Sequence, residues 1–498
     1  MNVNPITRLD YPDPDVIRVE DTYYMVSTTM HFMPGCEILQ SFDLVHWEHV
    51  TYVYETLDHT DAQQLKSGQN IYGQGMWAAS LRYHEGRFYI CFVANDTRKT
   101  YLYTSEKIDG PWKKQLIEGF YHDGSLLFDE DGRNYIVYGN DEIWITELNE
   151  DLTAPKKDGL HRLLVSDHKN PELGYEGSHI QKINGYYYIF LIHSLRDRWM
   201  RTEACFYSDS LEGEFTGGDV LCDDRGYCGQ GMAQGGIVDT PDGKWYAMLF
   251  QDSGAVGRIP ILVPVTWKDH FPFFGQNGHV PEEIEVHSTR PGYIYQPLVG
   301  SDDFCNGLLP RWQFNHDPDP RYYHLDALQG TYTITTREVC TELTQAVNTL
   351  TQRMSYPSCA AEVTVDASAL KEGDVAGLCA LQSCYAAVGI TKHHGKYEVL
   401  MLDKKEDGIL DMTEGTVVES HQMDFRLEAD FCNMKDEARC YYRVNKGDWL
   451  PIGTVHKLYF KLDHFTGCRF GLFCYAAEET GGSACFRDFK YYDVDEIS

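Results

Sequence analysis

The sequence predicts an all-β protein in which a five-bladed β-propeller is followed by a C-terminal β-sandwich. Short runs of β-branched and aromatic residues are bounded by Asp-Gly, Asn-Gly and Glu-Gly pairs, which is typical of antiparallel strands joined by tight turns. Long segments with helical periodicity are missing. One turn-and-strand pattern recurs five times before residue 300, and alternating strands continue after it.

The recurring pattern is a turn followed by aromatic residues and an apolar strand. Successive copies are 47 to 65 residues apart, which gives each copy room for a four-stranded sheet. Five propeller blades are therefore the economical arrangement. The copies are anchored at Tyr23, Phe88, Tyr135, Tyr187 and Trp245. A third strand is predicted in four of the blades, at residues 41–47, 105–112, 147–152 and 208–215.

The second half of the chain predicts a sandwich. A charged, Pro-containing stretch at residues 280–297 is interpreted as a linker, so we predict a propeller domain over residues 1–297 and a sandwich domain over residues 298–498. Short alternating strands are expected at 331–336, 360–366 and 397–402. Whether the sandwich shapes a pocket, binds more ligand or supports a homo-oligomer is left open.

A second short strand recurs ahead of each aromatic anchor. Its first residue varies in chemistry, whereas the following residues are small and then apolar. In a propeller this strand is the innermost one, so its five leading residues should ring one end of the central channel. The small residues suit the close approach of backbones near the axis. The leading residues are Asp13, Trp77, Asp123, Glu176 and Gln234.

Turn chemistry is the alternative explanation for two of these acids. Asp13 lies in a Tyr-Pro-Asp-Pro segment and Asp123 precedes a glycine, and both contexts are frequent in turns. Glu176 is harder to explain, because it begins a strand that should be buried, where an unpaired carboxylate is costly. A functional site is favoured because the equivalent position of the five repeats holds three acids, a Trp and an amide.

Three carboxyl groups near one channel mouth indicate acid–base chemistry. They cannot all ionise freely, so at least one pKa should rise. This separates a proton donor from a proton acceptor, which is the pair that glycosidic-bond hydrolysis needs. The distance between them decides inversion or retention, and the sequence does not supply it. Trp77 offers a flat apolar face and Gln234 a donor and an acceptor, so the ring suits a neutral sugar.

Charge and composition exclude several kinds of partner. The formal net charge of −32 repels nucleic acid and anionic lipid surfaces. A basic-then-apolar leader and a run of 18 apolar residues are both missing, so we expect a cytoplasmic protein that does not cross a membrane. The 15 Cys residues form no CxxC pair and are interpreted as reduced thiols, and no metal site is predicted from them.

Several segments, in order along the chain, resemble glycoside hydrolase family 43. In the propeller half they are NPITRLDYPDPDVIRVEDTYYMVST, MWAASLRY, HDGSLLFDEDGRNYIVYG, YEGSHIQKINGYYYIF, QGGIVDTPDGKWYAMLF and VGRIPILVPVTWKD. Beyond residue 300, DDFCNGLLPRWQFNHDPDP and FTGCRFGLFCYA resemble the concanavalin-like β-sandwich of the two-domain xylosidase and arabinofuranosidase members.

The resemblance implies an inverting, exo-acting hydrolase of xylan- or arabinoxylan-derived oligosaccharides. Its products would be terminal pentoses, released as an α-L-arabinofuranosidase, a β-D-xylosidase or both. By motif, Asp13 is the general base, Glu176 the general acid, and Asp123 the carboxylate that orients the acid and tunes its pKa. Trp77 and Arg258 would contact the sugar.

The chain also departs from the family pattern. Gln234 stands where many members have a His, often near a central calcium ion, so a structural calcium is an open expectation, and the chemistry itself needs no cofactor. Met30, followed closely by Phe32, stands where a Phe commonly closes the sugar pocket. We therefore predict Gln234, Met30 and Phe32 as further substrate contacts.

Two other functions remain open at the level of sequence. A retaining, invertase-like fructosidase shares the propeller-plus-sandwich architecture, although its Asn-Asp-Pro-Asn-Gly opening is missing. A non-catalytic sugar-binding propeller would also use Trp and amide side chains, although it has no need of three acids. In every case the expected partner is an oligosaccharide.

Overall fold

The computed structural model describes residues 3–493, whose regular secondary structure is almost entirely antiparallel β-sheet. Five small sheets follow one another along the chain, and two larger sheets hold most of the strands after residue 312. The prediction of a five-bladed propeller followed by a β-sandwich is confirmed. Among the described residues, no helix has both the length and the apolar character needed to cross a bilayer.

Each propeller blade is a meander whose strands pair in chain order. The first blade has β1 Asp15–Val19, β2 Thr22–Ser27, β4 Gly35–Ser41 and β5 Glu48–Tyr54, and the two-residue β3 Phe32–Met33 leaves it. The second has β6 Met76–His84, β7 Arg87–Ala94, β8 Lys99–Ser105 and β9 Lys113–Ile117. The third has β10 Ser125–Phe128, β11 Asn134–Asn140, β12 Glu142–Leu148 and β13 His161–Ser166.

The last two blades follow the same plan. The fourth has β14 Glu176–Ile183, β15 Tyr186–Ser194, β16 Arg201–Ser208 and β17 Thr216–Leu221. The fifth has a divided inner strand, and consists of β18 Met232–Ala233, β19 Ile237–Asp239, β20 Trp245–Asp252, β21 Arg258–Lys268 and β22 Phe271–Phe274. The aromatic anchors all lie on the second strand of their blade, next to the inner strand, as the repeats predict.

The predicted third strands are displaced by a few residues. In the structure, the third strands end where the predicted segments begin, and those segments form the turn to the fourth strand. In the first blade, Ser41 Oγ accepts the Leu44 N–H, and Asp43 Oδ1 accepts the N–H groups of Val45 and His46. The recurring Ser and Asp residues therefore mark a side-chain-stabilised turn rather than a strand.

The sandwich contains the remaining strands in two sheets. One sheet has the order β3-β23-β26-β36-β28-β29-β30-β31, with β32 also on β30, and the other has the order β24-β25-β37-β27-β33-β34-β35. The strands are β23 Gln313–Asn315, β24 Tyr323–Asp326, β25 Thr331–Thr335, β26 Leu350–Arg353, β27 Ser358–Asp366, β28 Val375–Leu381, β29 Ala386–His393, β30 Lys396–Lys404, β31 Leu410–Met412, β32 Thr416–Val418, β33 Gln422–Asp430, β34 Glu437–Val444, β35 Leu450–Lys457, β36 Arg469–Tyr475 and β37 Ser483–Asp493. Single 3₁₀ turns lie at Lys66–Gly68, Gly254–Val256, Leu343–Gln345 and Cys432–Met434.

The hydrophobic core is divided among the contacts between adjacent blades and the space between the two sandwich sheets. Val26 and Phe92, for example, belong to one buried cluster that joins the first two blades. The sandwich core is larger and includes Phe425 and Phe470. Burying a side chain of this size stabilises the fold by about 1.5–3 kcal/mol, so the blades hold one another around the channel.

The two domains are joined by backbone pairing and by a cluster of histidines. The propeller strand β3 is the edge strand of a sandwich sheet, where Met33 pairs with Phe314 and Phe32 with Asn315. Beside it, the ring of His31 lies 4.8 Å from that of His316 and 5.0 Å from that of His464. Burial lowers the pKa of all three imidazoles, so the junction requires them to be neutral.

Candidate active site

The heads of the inner strands leave regular β geometry where they reach the channel. Asp13, Asp123 and Gln234 have left-handed backbones with φ of 52°, 48° and 62°. In the other two blades, the strand register shifts directly after Trp77 and after Glu176. A left-handed backbone at a non-glycine residue changes the direction in which the side chain points, so that it no longer alternates along the strand. A β-bulge has the same effect, and both features are concentrated at functional sites.

All five blades contribute their inner-strand heads to one place. A cavity of about 10 Å³ on the channel axis is lined by the head residues Asp13, Asp123 and Gln234, and by Ala78 and Gly177, which directly follow Trp77 and Glu176. The convergence predicted from the repeats is therefore present in the fold.

Asp13 forms a buried ion pair with Arg258. Its Oδ1 accepts a hydrogen bond from Arg258 Nη1 at 2.8 Å, and its Oδ2 accepts one from Thr28 Oγ1 at 2.6 Å. The Arg258 backbone N–H donates to Asp10 Oδ1 at 2.8 Å, which anchors the start of β21 beside the N-terminal segment. Both Asp13 oxygens are thus held in place by donors, and one of these donors carries a full positive charge.

Asp123 and Glu176 form a second acidic group. The N–H of Gly177, the residue after Glu176, donates to Asp123 Oδ2 at 2.9 Å, and Asn140 Nδ2 donates to Glu176 Oε2 at 2.8 Å. Burial raises the pKa of Asp123 to about 6, and the charges of Glu176 and Asp13 act in the same direction. A raised carboxyl pKa is predicted from the crowding of acids, but burial is the larger cause here and the charge of His122 opposes it.

His122 lies between these two acids, and no sequence motif gives it a role. Its Nε2 is 3.5 Å from Glu176 Oε2 and 3.6 Å from Asp123 Oδ2. The charge of Asp123 raises the pKa of His122 to about 9, so the imidazole is positively charged at neutral pH. Its position directly before Asp123 is the only sequence signal for it.

Aromatic rings cover Arg258 and Trp77 from the sandwich side. The ring of Phe465 lies 5.4 Å from that of Trp77 and 4.7 Å from the guanidinium carbon of Arg258. Phe250 contacts the same guanidinium at 5.1 Å, and Trp77 also lies 6.1 Å from His122. Phe465 belongs to the loop before β36, so the sandwich contributes directly to this wall, a question that the sequence leaves open.

Gln234 is fixed from below by a second buried acid. Its backbone N–H donates to Glu203 Oε2 at 2.8 Å, and burial raises the pKa of Glu203 well above its usual value. The Gln234 side chain packs over Gly177, because a Cβ added to Gly177 would lie only 2.7 Å from Gln234 Cγ. Glycine is required there both by this contact and by its φ of 62°.

Met30 and Phe32 occupy different surroundings. Met30 is buried and forms a backbone bridge with Met76, the residue before Trp77. Phe32 is fully buried in a cluster with sandwich residues such as Leu343 and Phe473, and the guanidinium of Arg469 lies 3.5 Å over its ring. The predicted sugar contact for Phe32 is corrected by this placement, because β3 turns away to join the sandwich sheet.

Metal binding by the acidic group is not favoured by its chemistry. Among the described residues, His122, Asp123 and Glu176 are the group that brings three potential donor atoms within 4.8 Å of one another. A protonated imidazole has no lone pair to offer on a ring nitrogen. Glu176 Oε2 and Asp123 Oδ2 also accept hydrogen bonds from Asn140 and Gly177. The donors that contact Glu176 and Asp123 would therefore compete with a metal ion for these oxygens.

Comparison with known proteins identifies the family. Residues 3–272 match the model of glycosyl hydrolases family 43, and residues 301–492 match that of the beta xylosidase C-terminal concanavalin A-like domain. The chain belongs to glycosyl hydrolase family 43. The family predicted from the motifs is confirmed, and with it a glycosidase that acts on oligosaccharides and needs no cofactor for catalysis. An enzyme of this family is neither an invertase-like fructosidase nor a non-catalytic sugar-binding propeller.

Several relatives of this family 43 enzyme extend over both domains. A beta-xylosidase from Formosa agariphila is 26% identical, with 99% of this chain and 89% of the relative covered. The non-reducing end alpha-L-arabinofuranosidase BoGH43B from Bacteroides ovatus is 24% identical over 82% of this chain and 79% of the relative. The solved structure of a bifunctional GH43-CE protein from Bacteroides eggerthii is 42% identical with a TM-score of 0.92, and the match covers 99% of this chain but 64% of that longer one.

Proposed function

We propose that this chain is an exo-acting, inverting hydrolase that releases terminal pentoses from xylan- or arabinoxylan-derived oligosaccharides, as an α-L-arabinofuranosidase, a β-D-xylosidase or both. The observation that carries the proposal is the division of three carboxyl groups into two differently supported sites, Asp13 with Arg258 and Asp123 with Glu176. Relatives named for both activities support the sugar class.

In this proposal Asp13 is the general base. Arg258 and Thr28 each donate a hydrogen bond to one of its oxygens, and further lone pairs remain for a water molecule. The water attacks the anomeric carbon and gives a proton to Asp13. Inversion is the typical outcome in family 43.

Glu176 is the proposed general acid and Asp123 the residue that tunes it. In the proposal Asp123 acts on Glu176 from the neighbouring strand head, whose position is set by the hydrogen bond from the Gly177 N–H to Asp123 Oδ2. Glu176 then protonates the glycosidic oxygen as the bond to the anomeric carbon breaks.

Trp77, Arg258, Gln234 and Met30 are the proposed sugar contacts. Trp77 supplies a flat apolar face. Two further donors of Arg258, Nε and Nη2, are buried without a hydrogen-bond partner among the described residues, so hydroxyl groups of a bound pentose would satisfy them. Phe465 closes the same wall, and a wall closed by a second domain suits removal of a terminal sugar rather than cleavage inside a chain.

A structural calcium ion is a further part of the proposal. Beneath the acids, Asp15 Oδ1 is buried without a hydrogen-bond partner and lies 3.7 Å from His179 Nε2. Burial lowers the pKa of His179, and its Nδ1 lies 3.0 Å from the Gly177 carbonyl oxygen, so Nε2 presents a lone pair toward Asp15. We propose them as two of the ligands of a calcium ion, beside the ion pair that Asp15 Oδ2 forms with Arg82 Nη1 at 2.7 Å. Calcium that fails to raise the melting temperature of EDTA-treated protein would overturn this assignment.

The proposed setting is the cytoplasm, where short imported oligosaccharides are the substrate. The charge of −32 supports the expectation that neither nucleic acid nor an anionic membrane surface is a partner. A homo-oligomer built through the sandwich is tested by light scattering of the purified chain, and the compartment by fractionation of the source cells.

The decisive experiment presents 4-nitrophenyl α-L-arabinofuranoside and 4-nitrophenyl β-D-xyloside side by side, and follows the first product by proton NMR. We expect turnover of at least one, with the released sugar appearing first in the opposite anomeric configuration. If the enzyme hydrolyses neither substrate, the proposed substrate class is overturned. A product of retained configuration would overturn the assignment of Asp13 as a general base.

A further inference from the structure

His122 faces both acids of the second group, and no sequence motif gives it a role. The inference rests on the proposed function, because it concerns the proton donated by Glu176. His122 has only 21% of its side chain exposed, and it faces both acids of the second group with the same nitrogen. The residue is held from the backbone side as well, since the Gly139 N–H donates to the His122 carbonyl oxygen at 3.0 Å. The left-handed backbone of Asp123 follows immediately.

One oxygen of Glu176 is surrounded by donors. Oε2 accepts a hydrogen bond from Asn140 Nδ2 at 2.8 Å and faces His122 Nε2 at 3.5 Å. In the proposed mechanism, the proton that Glu176 donates is therefore on Oε1. When that proton leaves, negative charge spreads over both oxygens, and Oε2 already has two donors in place.

We propose that His122, together with Asn140, stabilises the Glu176 carboxylate as it forms, and so makes Glu176 a stronger acid in the transition state. The Oε1–H proton passes to the glycosidic oxygen, the bond between that oxygen and the anomeric carbon breaks, and its electron pair stays on the departing alcohol. The attacking water gives its proton to Asp13. His122 keeps its own proton throughout and serves as a fixed positive charge, in the manner of an oxyanion-hole donor.

Asp123 has a defined part in this arrangement. Its carboxyl group lies 3.6 Å from His122 Nε2 and is the main reason that the imidazole is charged. Asp13 contributes to the same effect from the other acidic site. Trp77 lies 6.1 Å from the His122 ring and covers it with apolar surface, which strengthens the interaction of the charge with Glu176.

The test uses the dependence of rate on the leaving group. A substrate with a poor leaving group needs protonation by Glu176, whereas a 2,4-dinitrophenyl glycoside does not. We expect His122→Asn to lower kcat about 10- to 100-fold on a xylo- or arabinoxylo-oligosaccharide. This is less than the loss that follows removal of a donor in ideal geometry. On the dinitrophenyl glycoside, kcat should be nearly unchanged. The controls are His122→Gln and His84→Asn, which changes a histidine at the opposite end of the inner strand β6 from Trp77.

A double-variant cycle separates this role from a structural one. In a Glu176→Ala background the developing carboxylate no longer exists, so adding His122→Asn should produce no further loss on the oligosaccharide, the substrate on which the single variant is impaired. An equal loss on both leaving groups, or an additive loss in the Glu176→Ala background, would overturn the inference while the proposed function stands. A wild-type enzyme that hydrolyses no pentoside would overturn both.

Discussion

The ring of Phe465 lies 4.7 Å over the guanidinium of Arg258, so a side chain from the sandwich covers the group that orients Asp13. Asp10 ties the two sides together, because it accepts the Arg258 N–H through Oδ1 and the Gly467 N–H through Oδ2. The accessory domain is therefore part of the candidate active site.

Replacing Phe465 by Ala should weaken substrate binding. The change removes a cation–π contact and opens the wall beside Trp77, and such contacts contribute about 0.5–2 kcal/mol, which corresponds to a loss of about 2- to 30-fold in kcat/KM. Leu462→Ala, at a side chain that is 75% exposed, is the matched control. Unchanged kinetics in the Phe465 variant would mean that the ring does not reach the substrate.

Replacing Arg258 by Lys should lower kcat despite the conserved charge. A lysine cannot keep both the bond to Asp13 and the stacking between Phe250 and Phe465. We expect a loss of about 10- to 100-fold, as for a charged hydrogen bond. The control is Arg18→Lys, whose partner Asp239 lies at the other end of the inner strands. Similar losses in both variants would argue for a general effect on folding.

Replacing Glu176 by Gln, or Asp13 by Asn, should abolish most turnover without abolishing binding. General acid or base catalysis contributes about 10²- to 10⁴-fold, and the amides keep the shape of the acids. Calorimetric titration with the released pentose should still detect binding in both variants. Wild-type turnover by either variant would contradict the assigned pair.

Replacing Asp123 by Asn should stabilise the protein at pH 7 while it impairs catalysis. Burial raises the pKa of Asp123 to about 6, so the folded state loses stability as the pH rises from about 4 to about 6, by at most about 3 kcal/mol. Thermal unfolding at pH 4 and pH 7 measures the difference, which should appear only at pH 7.

Asp129→Asn is the matched control, and it should behave in the opposite way. Burial alone would raise its pKa, but hydrogen bonds from Lys182 and Tyr187 lower it, so removing its charge should destabilise the fold at pH 7. A stabilised Asp129 variant would show that loss of any buried charge has the same effect.

The histidines at the domain junction should make the protein labile to acid. Burial lowers the pKa of His464 to about 3, so its neutral form contributes stability that is complete above about 6.5 and is lost as the pH falls toward 3. Each such histidine steepens the fall in unfolding free energy by up to about 1.4 kcal/mol per pH unit. Denaturant unfolding at pH 5 and 7 measures the fall in unfolding free energy between these pH values. The fall should be smaller in His464→Phe than in the wild type. In His324→Phe, which changes an exposed histidine, it should equal that of the wild type.

Local patterns predicted the blades and the three acids because both depend on short-range regularity. The turn, the aromatic anchor and the small residue near the axis recur at fixed phase, so Asp13, Asp123 and Glu176 could be placed on one ring without any long-range information. The predicted third strands differ from the observed ones because the recurring Ser and Asp residues lie in the turn that follows each strand, not in the strand itself.

The sequence patterns could not predict residues that lie at the site only because of tertiary contacts. Phe465 reaches the site from the other domain. The predicted sugar contact of Phe32 was wrong because β3 leaves its own blade and pairs with β23. His122 and Asn140 have ordinary sequence surroundings, and only the proximity of Glu176 gives them a role. Sequence periodicity locates a ring of acids, whereas the groups that tune those acids depend on how the rings and loops pack.

The pairing of β3 with β23 bears on how this enzyme can be divided. A chain cut at the interdomain linker would leave Phe32 and His31 without the surfaces that bury them, and would remove the loop that carries Phe465. Gene fragments that encode the propeller alone are therefore expected to yield insoluble or inactive material. Enzymes engineered by exchanging accessory modules would need to carry residues 30–33 along with the sandwich to which they are hydrogen-bonded.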